Sequence, residues 1–418
     1  MSTVLEHVTV MVGRGATACS PLDSLWAAFD KWAPGGSLAA CEDTWWQVLP
    51  QRLRSDSSRG ETNAADIAAH RVAYICGLVA VDFRHWLCDE ADPVDGDERC
   101  EVPHGVLLSN VRPFYCRDAD GDGFIRGSGA MIELLRRAVD QHGIDWYRPE
   151  RMASLSADDE RIMFTGCENN SESPRILGHA RARGRILREI GASFLDGPKG
   201  TDVPTYHSFF DMLLLSRRRL FSQSPPMSSS ATWTTTCPTS HTAVNGGGLG
   251  FVERLVAFHG RYQDKYVLGE PDAAPVIWAL KLAQLTGMAL LSADPCRDLP
   301  ADHPARHAAQ FLDSSDASVA PDYQLPRGLW AAGLLRYSPA LESLIRQRRH
   351  VAPGSTEERD LRAGTMLASE ELLRLSKERY GPDVNSATLD HVLWHLGRDM
   401  TPDMAAGYPH HLTITLMY

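Results

Sequence analysis

The sequence predicts a mainly α-helical protein, folded as a single helical domain with one small β-hairpin near residues 112–127. Three observations support this prediction. Apolar residues recur at helical spacing through most of the chain. The stretch "VRPFYCRDADGDGFIRG" places an Asp/Gly turn between two short β-prone runs. Of the 418 residues, 43% are apolar, which is enough for a large core.

The predicted helices follow one another along the chain. They cover the segments 64–87, 129–143, 175–195, 251–260, 276–291 and 333–347, each with apolar residues at helical spacing. A further helix is expected in "PGSTEERDLRAGTMLASEELLRL", where Ser355 can cap the first turn and Glu358 can reach back, as in a capping box. The stretch "GPDVNSATLDHVLWHLG" predicts a turn followed by a short helix.

One segment does not fit a compact helical domain. Residues 222–248, "SQSPPMSSSATWTTTCPTSHTAVNGGG", are rich in Ser, Thr, Pro and Gly and carry almost no charge. Their apolar content is too low for independent folding. We therefore expect a low-complexity insertion inside one domain that spans residues 61–418, preceded by an N-terminal extension at 1–60 that the sequence does not assign.

Composition and charge exclude several classes of protein. The formal net charge is −11, whereas a protein that binds duplex nucleic acid usually carries a basic excess. The nine cysteines form no CxxC pair, which argues against a zinc ribbon and suits a reducing cytosol. The chain has no apolar run of membrane-spanning length. We expect a cytoplasmic protein without a membrane or nucleic-acid duplex partner.

Three patterns resemble metal sites, but each has a simpler interpretation. "DADGDG" at 118–123 starts like a calcium loop, yet Gly129 stands where the loop needs its last carboxylate, so a hairpin turn is favoured. "HPARH" at 303–307 and "HVLWH" at 391–395 each place two histidines four residues apart, without a third ligand. We expect neither a metal nor another cofactor.

Lys281 is the only charged residue in the apolar segment "VIWALKLAQLTGMALL". A helix that is apolar nearly all round is usually buried, so a lysine within it has to extend to the surface, pair with an acid or lose its charge. Two interpretations remain open. The side chain either reaches water without further function, or it lies in a pocket opposite an acid or a phosphate.

Asp322 lies in "SVAPDYQLPRGLWAAGLLRYSP", just before a proline and an apolar helical run. As the residue that precedes a helix it can cap the first N–H groups. A carboxylate held rigidly at a helix start is also what a glycosidase needs to attack, or to stabilise, a sugar carbon that becomes positively charged. The residues alone favour the cap, and both interpretations stay open.

Several blocks of the chain resemble, in order, those of the queuosine salvage family, the queuosine nucleotide N-glycosylases. "VAVDFRHW" is similar to the family pattern Leu-Asn-Phe-x-Phe-Trp, and "PDYQLPRGLWAAGLLRYSPAL" is similar to a block that begins Ala-Asp-Tyr-Arg-x-Pro-Gln. Further similar blocks are "GCENNSESPRILGHARARGRILREIGASF", "LKLAQL", "LDHVLW" and "HHLTITLMY". The resemblance covers about residues 65–418.

This resemblance implies a fold similar to that of helix-hairpin-helix DNA glycosylases. It implies hydrolysis of the N-glycosidic bond of queuosine 5′-monophosphate, which releases queuine for reuse in tRNA. The essential acid of the family falls on Asp322 and its lysine on Lys281. Asp390 would accept N–H groups of the base, while Phe83, Trp86 and Tyr323 are candidates to stack on it. The implied partner is a small nucleotide, and the oligomeric state stays open.

Departures from the family pattern leave other functions to consider. Asp82 stands where the family usually has Asn, and Leu280 and Leu282 flank Lys281 where the family has Tyr and Arg. One alternative is a protein of the same fold that binds a modified nucleobase or nucleotide without turnover. Another is a glycosidase that acts on a different nucleoside. A DNA glycosylase is a more distant alternative, because the chain is acidic.

Overall fold

A computed structural model describes most of the chain. The described ranges are 5–12, 21–37, 45–54, 63–92, 101–118, 123–168, 173–197, 205–221, 249–267, 276–314 and 317–417. The predicted insertion at 222–248 and the tip of the predicted turn at 119–122 lie outside these residues.

Helices form the larger part of the described structure. They are α1 (Pro21–Trp32), α2 (Gln51–Arg54), α3 (Ala64–Ala80), α4 (Ser128–Asp140), α5 (Pro149–Ala153), α6 (Ala157–Phe164), α7 (Ala180–Asp196), α8 (Phe209–Leu215), α9 (Phe251–Phe258), α10 (Lys281–Ala293), α11 (Gln324–Ala331), α12 (Pro339–Arg346), α13 (Thr356–Tyr380), α14 (Ser386–Arg398) and α15 (Pro402–Gly407). The strands are β1 (Val8–Val10), β2 (Trp86–Leu87), β3 (Arg112–Arg117), β4 (Phe124–Arg126), β5 (Thr165–Glu168), β6 (Pro174–Ile176), β7 (Lys265–Val267), β8 (Val276–Trp278) and β9 (Leu335–Tyr337).

The prediction of a mainly helical single domain is wrong, because the helices are combined with antiparallel sheets. Strands β2, β3, β5 and β6 lie side by side in that order, and β4 also pairs with β3, which makes a sheet of five strands. Two further pairs, β1 with β9 and β7 with β8, form two-stranded sheets. The hairpin expected near 112–127 is present, with Tyr115 opposite Arg126, but it belongs to the larger sheet.

The sequence conceals these strands for a physical reason. Each has between two and six residues, which is too short to show a clear alternation of apolar and polar side chains. Several also carry residues that disfavour strands, as in "TGCE" of β5 and "PRI" of β6. Sheet pairing therefore depends on neighbouring elements, and the local sequence does not specify it.

Three predicted helices begin or end in strands for the same reason. The segment 64–87 leaves the helix after Ala80 and ends in β2, and 276–291 begins as β8 before α10 starts at Lys281. The segment 333–347 contains β9 before α12. Pro339 begins α12, a position where its missing N–H costs nothing.

The predicted helix starts near the C-terminal end are confirmed. The Ser355 hydroxyl accepts the N–H of Glu358 at 3.2 Å, and α13 begins at Thr356, directly after Ser355. Glu358 reaches back one residue further than a capping box requires, since its Oε2 accepts the N–H of Gly354 at 3.1 Å. Asn385 caps α14 through the N–H of Thr388 at 3.1 Å.

Two large apolar clusters fill the interior, and the candidate site lies where they meet. The first combines α3 to α10 with the five-stranded sheet, and includes Phe83, Leu280 and Leu282. The second combines α1 with α11 to α14, and includes Leu325 and Leu389. Each cluster combines side chains from several elements, so the segments that connect the two clusters are anchored at both ends.

Described parts of the first 60 residues pack against the C-terminal part of the chain. Val8 of β1 pairs with Tyr337 of β9, and the ring of Phe29 in α1 stacks on Tyr380 of α13 at 5.0 Å. The described side chain of Val8 is buried in the second cluster. The division into an extension at 1–60 and a domain at 61–418 stays a prediction.

Candidate active site

Asp82 lies in the tight turn that ends α3, and the buried Arg183 binds the main chain of this turn. The guanidinium of Arg183, on α7, donates hydrogen bonds to four main-chain oxygens, those of Val81, Phe83, Arg84 and Gly178. Arg84 has a left-handed φ of 40°, which is uncommon for a residue with a Cβ. Since a helix end leaves carbonyl groups without partners, the guanidinium satisfies them and sets the direction of Asp82.

The carboxylate of Asp82 lies between an imidazole and an ammonium group. Its Oδ1 is 2.9 Å from Nε2 of His85, and its Oδ2 is 3.7 Å from Nζ of Lys281. Burial opposes ionisation of Asp82, but the Lys281 charge and the His85 hydrogen bond outweigh it and hold the pKa well below the usual range. Asp82 is therefore ionised at neutral pH.

Lys281 begins α10 and is almost completely buried. Its main-chain N–H donates to Oδ2 of Asp264 at 3.1 Å, and Asp264 also pairs with the guanidinium of Arg362. The Nζ atom donates to the main-chain oxygen of Asp82 at 3.1 Å. Only 6% of the side chain is exposed, so Lys281 does not simply extend to the surface. Of the two interpretations that the sequence leaves open, the geometry favours a pocket lysine opposite an acid.

Asp322 precedes α11 and uses one carboxylate oxygen to cap it. Oδ1 accepts the main-chain N–H groups of Gln324 at 2.6 Å and Leu325 at 3.1 Å. Within the described part of the chain, Oδ2 of Asp322 makes no hydrogen bond or ion pair. Burial raises the pKa of Asp322, while the Lys281 charge and the two N–H groups oppose this effect. One oxygen stabilises the helix start and the other is available to a ligand.

Asp390, on α14, faces the same space. Its Oδ1 accepts the main-chain N–H of Ala320 at 2.7 Å. Burial raises the pKa of Asp390 to about 7; the hydrogen bond from Ala320 and the charge of Lys281 lower it, and the charge of Asp322 raises it further. At neutral pH the carboxyl group of Asp390 thus exists in both protonation states, and it can either donate or accept a hydrogen bond.

The predicted aromatic residues occupy different environments. Tyr323 lies beside His410 with ring centres 4.9 Å apart, and Trp86 lies 6.2 Å from the same ring. Phe83 is buried with the guanidinium groups of Arg183 and Arg261 over its ring, at 4.1 and 4.7 Å from the ring centre. Tyr323 and Trp86 thus both pack beside His410, and the guanidinium of Arg84 lies 4.6 Å from the ring centre of the buried Trp86, whereas Phe83 packs with the cations of Arg183 and Arg261.

The arrangement brings three carboxyl groups near one ammonium group. The Lys281 charge lowers the pKa of each of them, whereas the Asp82 charge raises the pKa of Asp322 and the Asp322 charge raises the pKa of Asp390. One cation cannot neutralise three carboxylates in an enclosed space, so the group that gives up its charge most readily is Asp390. Such a site combines an ionised carboxylate with a carboxyl group that carries a proton part of the time.

Two supporting features were not predicted from the sequence. His85 lies three residues after Asp82, and their spacing within "DFRH" was a usable signal. The contribution of Arg183 depends on a distant helix meeting the turn, and its sequence context, "RARGR", resembles an exposed helix face. Among the described residues, no group of three or more His, Cys, Asp or Glu side chains is arranged to hold a metal ion.

Comparison with known proteins relates the C-terminal part of this site to one family. Residues 296–418 match the family model of the queuosine salvage protein. The queuosine 5′-phosphate N-glycosylase/hydrolase of Sphaerobacter thermophilus is 34% identical over 108 residues, which are 26% of this chain and 32% of that protein. The enzyme of the same name from Bos taurus is 30% identical over 115 residues, which are 26% of this chain and 33% of that protein.

These matches cover part of each protein. The chain spans about a third of the length of the curated relatives it matches. Asp322, Tyr323 and Asp390 lie within the residues that match the family model, whereas Lys281 and Asp82 precede them. The resemblance predicted from the sequence is confirmed over this range: residues 296–418 are similar to the queuosine salvage protein family.

Proposed function

We propose that the protein is a hydrolase that cleaves the N-glycosidic bond of queuosine 5′-monophosphate and releases the base queuine. The observation that carries this proposal is the position of Asp322, within the residues that match the family model, with one oxygen fixed by main-chain N–H groups and the other unpaired. The names of the relatives from S. thermophilus and B. taurus support the same reaction.

The chemistry follows from the charge that develops during cleavage. As the bond to the base breaks, positive charge builds on the ribose C1′, and an ionised carboxylate at that carbon lowers the barrier. Asp322 supplies this carboxylate through its unpaired Oδ2, either as a nucleophile, as an electrostatic partner or as the base that activates water. Its Oδ1 cannot rotate freely, because Gln324 and Leu325 hold it.

We propose that Asp390 binds the departing base. Its protonation balance near pH 7 lets it accept N–H groups of the base or donate a proton to a basic atom. The residues proposed to stack on the base are Tyr323 and Trp86, which both lie beside His410, and stacking on aromatic side chains contributes about 1 to 3 kcal/mol per base. Lys281 contacts the carboxylate and the main-chain oxygen of Asp82. Phe83 belongs to the turn that carries Asp82 and packs against Arg183.

The arginines Arg348 and Arg327 supply positive charge near His410, whose ring lies beside Tyr323. Burial and the charges of Arg348 and Arg327 lower the pKa of His410 to about 3, although its hydrogen bond to the main chain of His411 opposes this. The guanidinium of Arg327 is occupied by the main-chain oxygens of Tyr408, Gly397 and Ala405. We propose Arg348 as the residue that binds the 5′-phosphate.

The experiment that tests this function is a comparison of substrates by mass spectrometry. Purified protein is incubated separately with queuosine 5′-monophosphate, queuosine and guanosine 5′-monophosphate. We expect queuine from the first substrate at the highest kcat/KM. Turnover of guanosine 5′-monophosphate without release of queuine would mean a glycosidase for another nucleotide. Tight binding of queuosine 5′-monophosphate without any product would mean a binding protein.

A further inference from the structure

Asp82 and His85 form a pair that the proposed chemistry does not use directly. Nε2 of His85 is 2.9 Å from Oδ1 of Asp82, and the imidazole is 7% exposed. The other carboxylate oxygen of Asp82 faces Lys281. A carboxylate that accepts from an imidazole on one side and meets an ammonium on the other is held in one orientation.

The neutral form of His85 explains the direction of this hydrogen bond. Burial and the charges of Arg183 and Lys281 lower the pKa of His85, against the opposing influence of Asp82. A neutral imidazole carries one proton, and beside an ionised carboxylate that proton lies on Nε2. Nδ1 is buried and makes no hydrogen bond within the described part of the chain. The visible role of His85 is therefore to donate to Asp82.

Asp82 in turn decides where the ammonium of Lys281 is held. Among the described residues, both polar contacts of Nζ go to Asp82, one to the main-chain oxygen at 3.1 Å and one to Oδ2 at 3.7 Å. Asp322 and Asp390 make no direct ion pair with Lys281 among the described residues, although its charge influences both. Without Asp82, the nearest uncompensated negative charge for Lys281 is in this carboxyl pair.

We propose that Asp82 and His85 are positioning residues, which hold the ammonium of Lys281 on Asp82 and so keep the carboxylate of Asp322 unpaired for the ribose of a bound nucleotide. The kinetic part of this inference rests on the proposed function. Asp82 stands where the resembling family pattern has Asn, and His85 where it has Phe, which provides matched variants for a test.

The charged and titratable groups that act on Asp322 come from several elements. They are Asp82 from the turn after α3, Lys281 from α10 and Asp390 from α14, with Tyr323 adjacent in sequence and with His85 and Arg183 acting on Asp82. The Asp82 charge raises the pKa of Asp322. In Asp82→Asn this influence is lost and Lys281 is released, and both changes favour ionisation of Asp322.

A ligand-free measurement tests this relation without any turnover. Carboxyl carbons of ¹³C-labelled aspartate are titrated by NMR in the wild type and in Asp82→Asn, with the Asp322 signal assigned from its loss in Asp322→Asn. We expect the pKa of Asp322 to fall by about one pH unit in Asp82→Asn. An unchanged pKa would overturn the inference even if the protein cleaves its substrate.

Kinetics with queuosine 5′-monophosphate test the part played by His85. His85→Gln keeps an N–H donor near the position of Nε2, whereas His85→Phe removes it. We expect kcat to fall about tenfold in His85→Phe and to stay within about threefold of the wild type in His85→Gln, with little change in KM. Equal activity of the two variants would overturn the role of the hydrogen bond.

These two measurements also separate the inference from the proposed function. A wild type that releases no queuine, together with a lowered pKa of Asp322 in Asp82→Asn, contradicts the proposed reaction and supports the electrostatic relation. A wild type that releases queuine, with an unchanged pKa in Asp82→Asn, contradicts the inference alone. Thermal unfolding of each variant checks that its fold is retained.

Discussion

The two carboxylate oxygens of Asp322 have different surroundings, so a helix cap and the proposed chemical role do not exclude each other. Oδ1 accepts from Gln324 and Leu325 at the start of α11, and Oδ2 has no partner among the described residues. The sequence leaves a cap and a chemical group as alternatives, since the residue types do not show where each oxygen points. The geometry makes the two roles compatible.

The effect of pH on stability tests the partnership of Lys281 and Asp82. The folded protein holds the pKa of Asp82 below its ordinary value, so the ionised carboxylate stabilises the fold above about pH 4, and this contribution is lost as the pH falls further. In Lys281→Met the ammonium charge is lost, so the cost of burying the ionised carboxylate of Asp82 is no longer offset by it. We expect the free energy of unfolding at pH 7 to drop by roughly 1–3 kcal/mol.

The difference in free energy of unfolding between the wild type and Lys281→Met should narrow as the pH falls below about 4, where Asp82 becomes protonated in the unfolded chain. Chemical denaturation at pH 7 and pH 3.5 measures it. Lys377→Met, near the end of α13, serves as the control, because removal of a more exposed cation costs little. A loss of stability in Lys281→Met that does not depend on pH would contradict the ion pair.

Arg348 gives a prediction about substrate preference. Its guanidinium is half-buried, and burial lowers its pKa. In Arg348→Met we expect kcat/KM for queuosine 5′-monophosphate to fall about tenfold, because a charged hydrogen bond to phosphate is lost, and kcat/KM for queuosine to change little. Steady-state assays with both substrates measure this. An equal loss for both would assign Arg348 a structural role.

At the scale of elements, the helices are the part of the fold that the sequence predicts well. Apolar spacing and capping residues locate α3, α13 and α14, because their stability depends on local pattern. The strands β2, β8 and β9 were missed, since each is too short to carry its own pattern. The turn that presents Asp82 was missed as well, because it depends on Arg183 from a distant helix.

The crossing of α11 and α14 determines how Asp322 and Asp390 face each other. These helices approach through glycines: a Cβ on Gly397 would lie 2.2 Å from the main-chain oxygen of Gln324, and one on Gly328 would lie 2.9 Å from the nitrogen of Gly397. Contacts this close to the main chain cannot be relieved by a side-chain rotation. The two helices must separate if a methyl group is added.

We expect Gly397→Ala to lower kcat/KM by about tenfold or more, because Asp322 moves relative to Asp390. The free energy of unfolding should fall by roughly 1–3 kcal/mol, as for other overpacked interiors. Gly407→Ala is the matched control, since a Cβ there meets no atom within 4 Å. Enzyme assays and thermal unfolding compare the two variants. Wild-type activity in Gly397→Ala would show that the crossing does not set the site.

At the scale of the whole molecule, the site is assembled from distant segments. Asp82 and Lys281 are flanked in sequence by residues of the first apolar cluster, and Asp322 and Asp390 are near residues of the second. Resemblance to a family brought Lys281, Asp322 and Asp390 together in the sequence-based prediction. Their supporting partners, His85 and Asp264, were not predicted, because these contacts depend on how the clusters pack. Among the described helices, none is both long and apolar enough to cross a bilayer.

The pairing of β1 with β9 joins the first strand of the described chain to its C-terminal part. Val8 is buried and its Cγ1 would lie 2.7 Å from a Cβ on Gly364, whereas the neighbouring Thr9 is half-exposed. We expect Val8→Asp to lower the free energy of unfolding by roughly 2–4 kcal/mol and Thr9→Asp by less than about 1 kcal/mol. Denaturant unfolding measures both. Equal losses of stability in the two variants would contradict the assignment of Val8 to the buried face of β1.

The proposal that the carboxylate of Asp322 performs the cleavage is tested with Asp322→Asn. Asn also caps helices, so we expect this variant to keep its thermal stability. Asp211→Asn, at the start of α8, makes the same chemical change away from the site. The measurement is the rate of queuine release from queuosine 5′-monophosphate by the three proteins, followed by mass spectrometry. We predict equal rates for the wild type and Asp211→Asn and a loss of about a hundredfold or more in Asp322→Asn. Substantial queuine release by a folded Asp322→Asn would rule out a catalytic role for Asp322, which would then be a helix cap and nothing more.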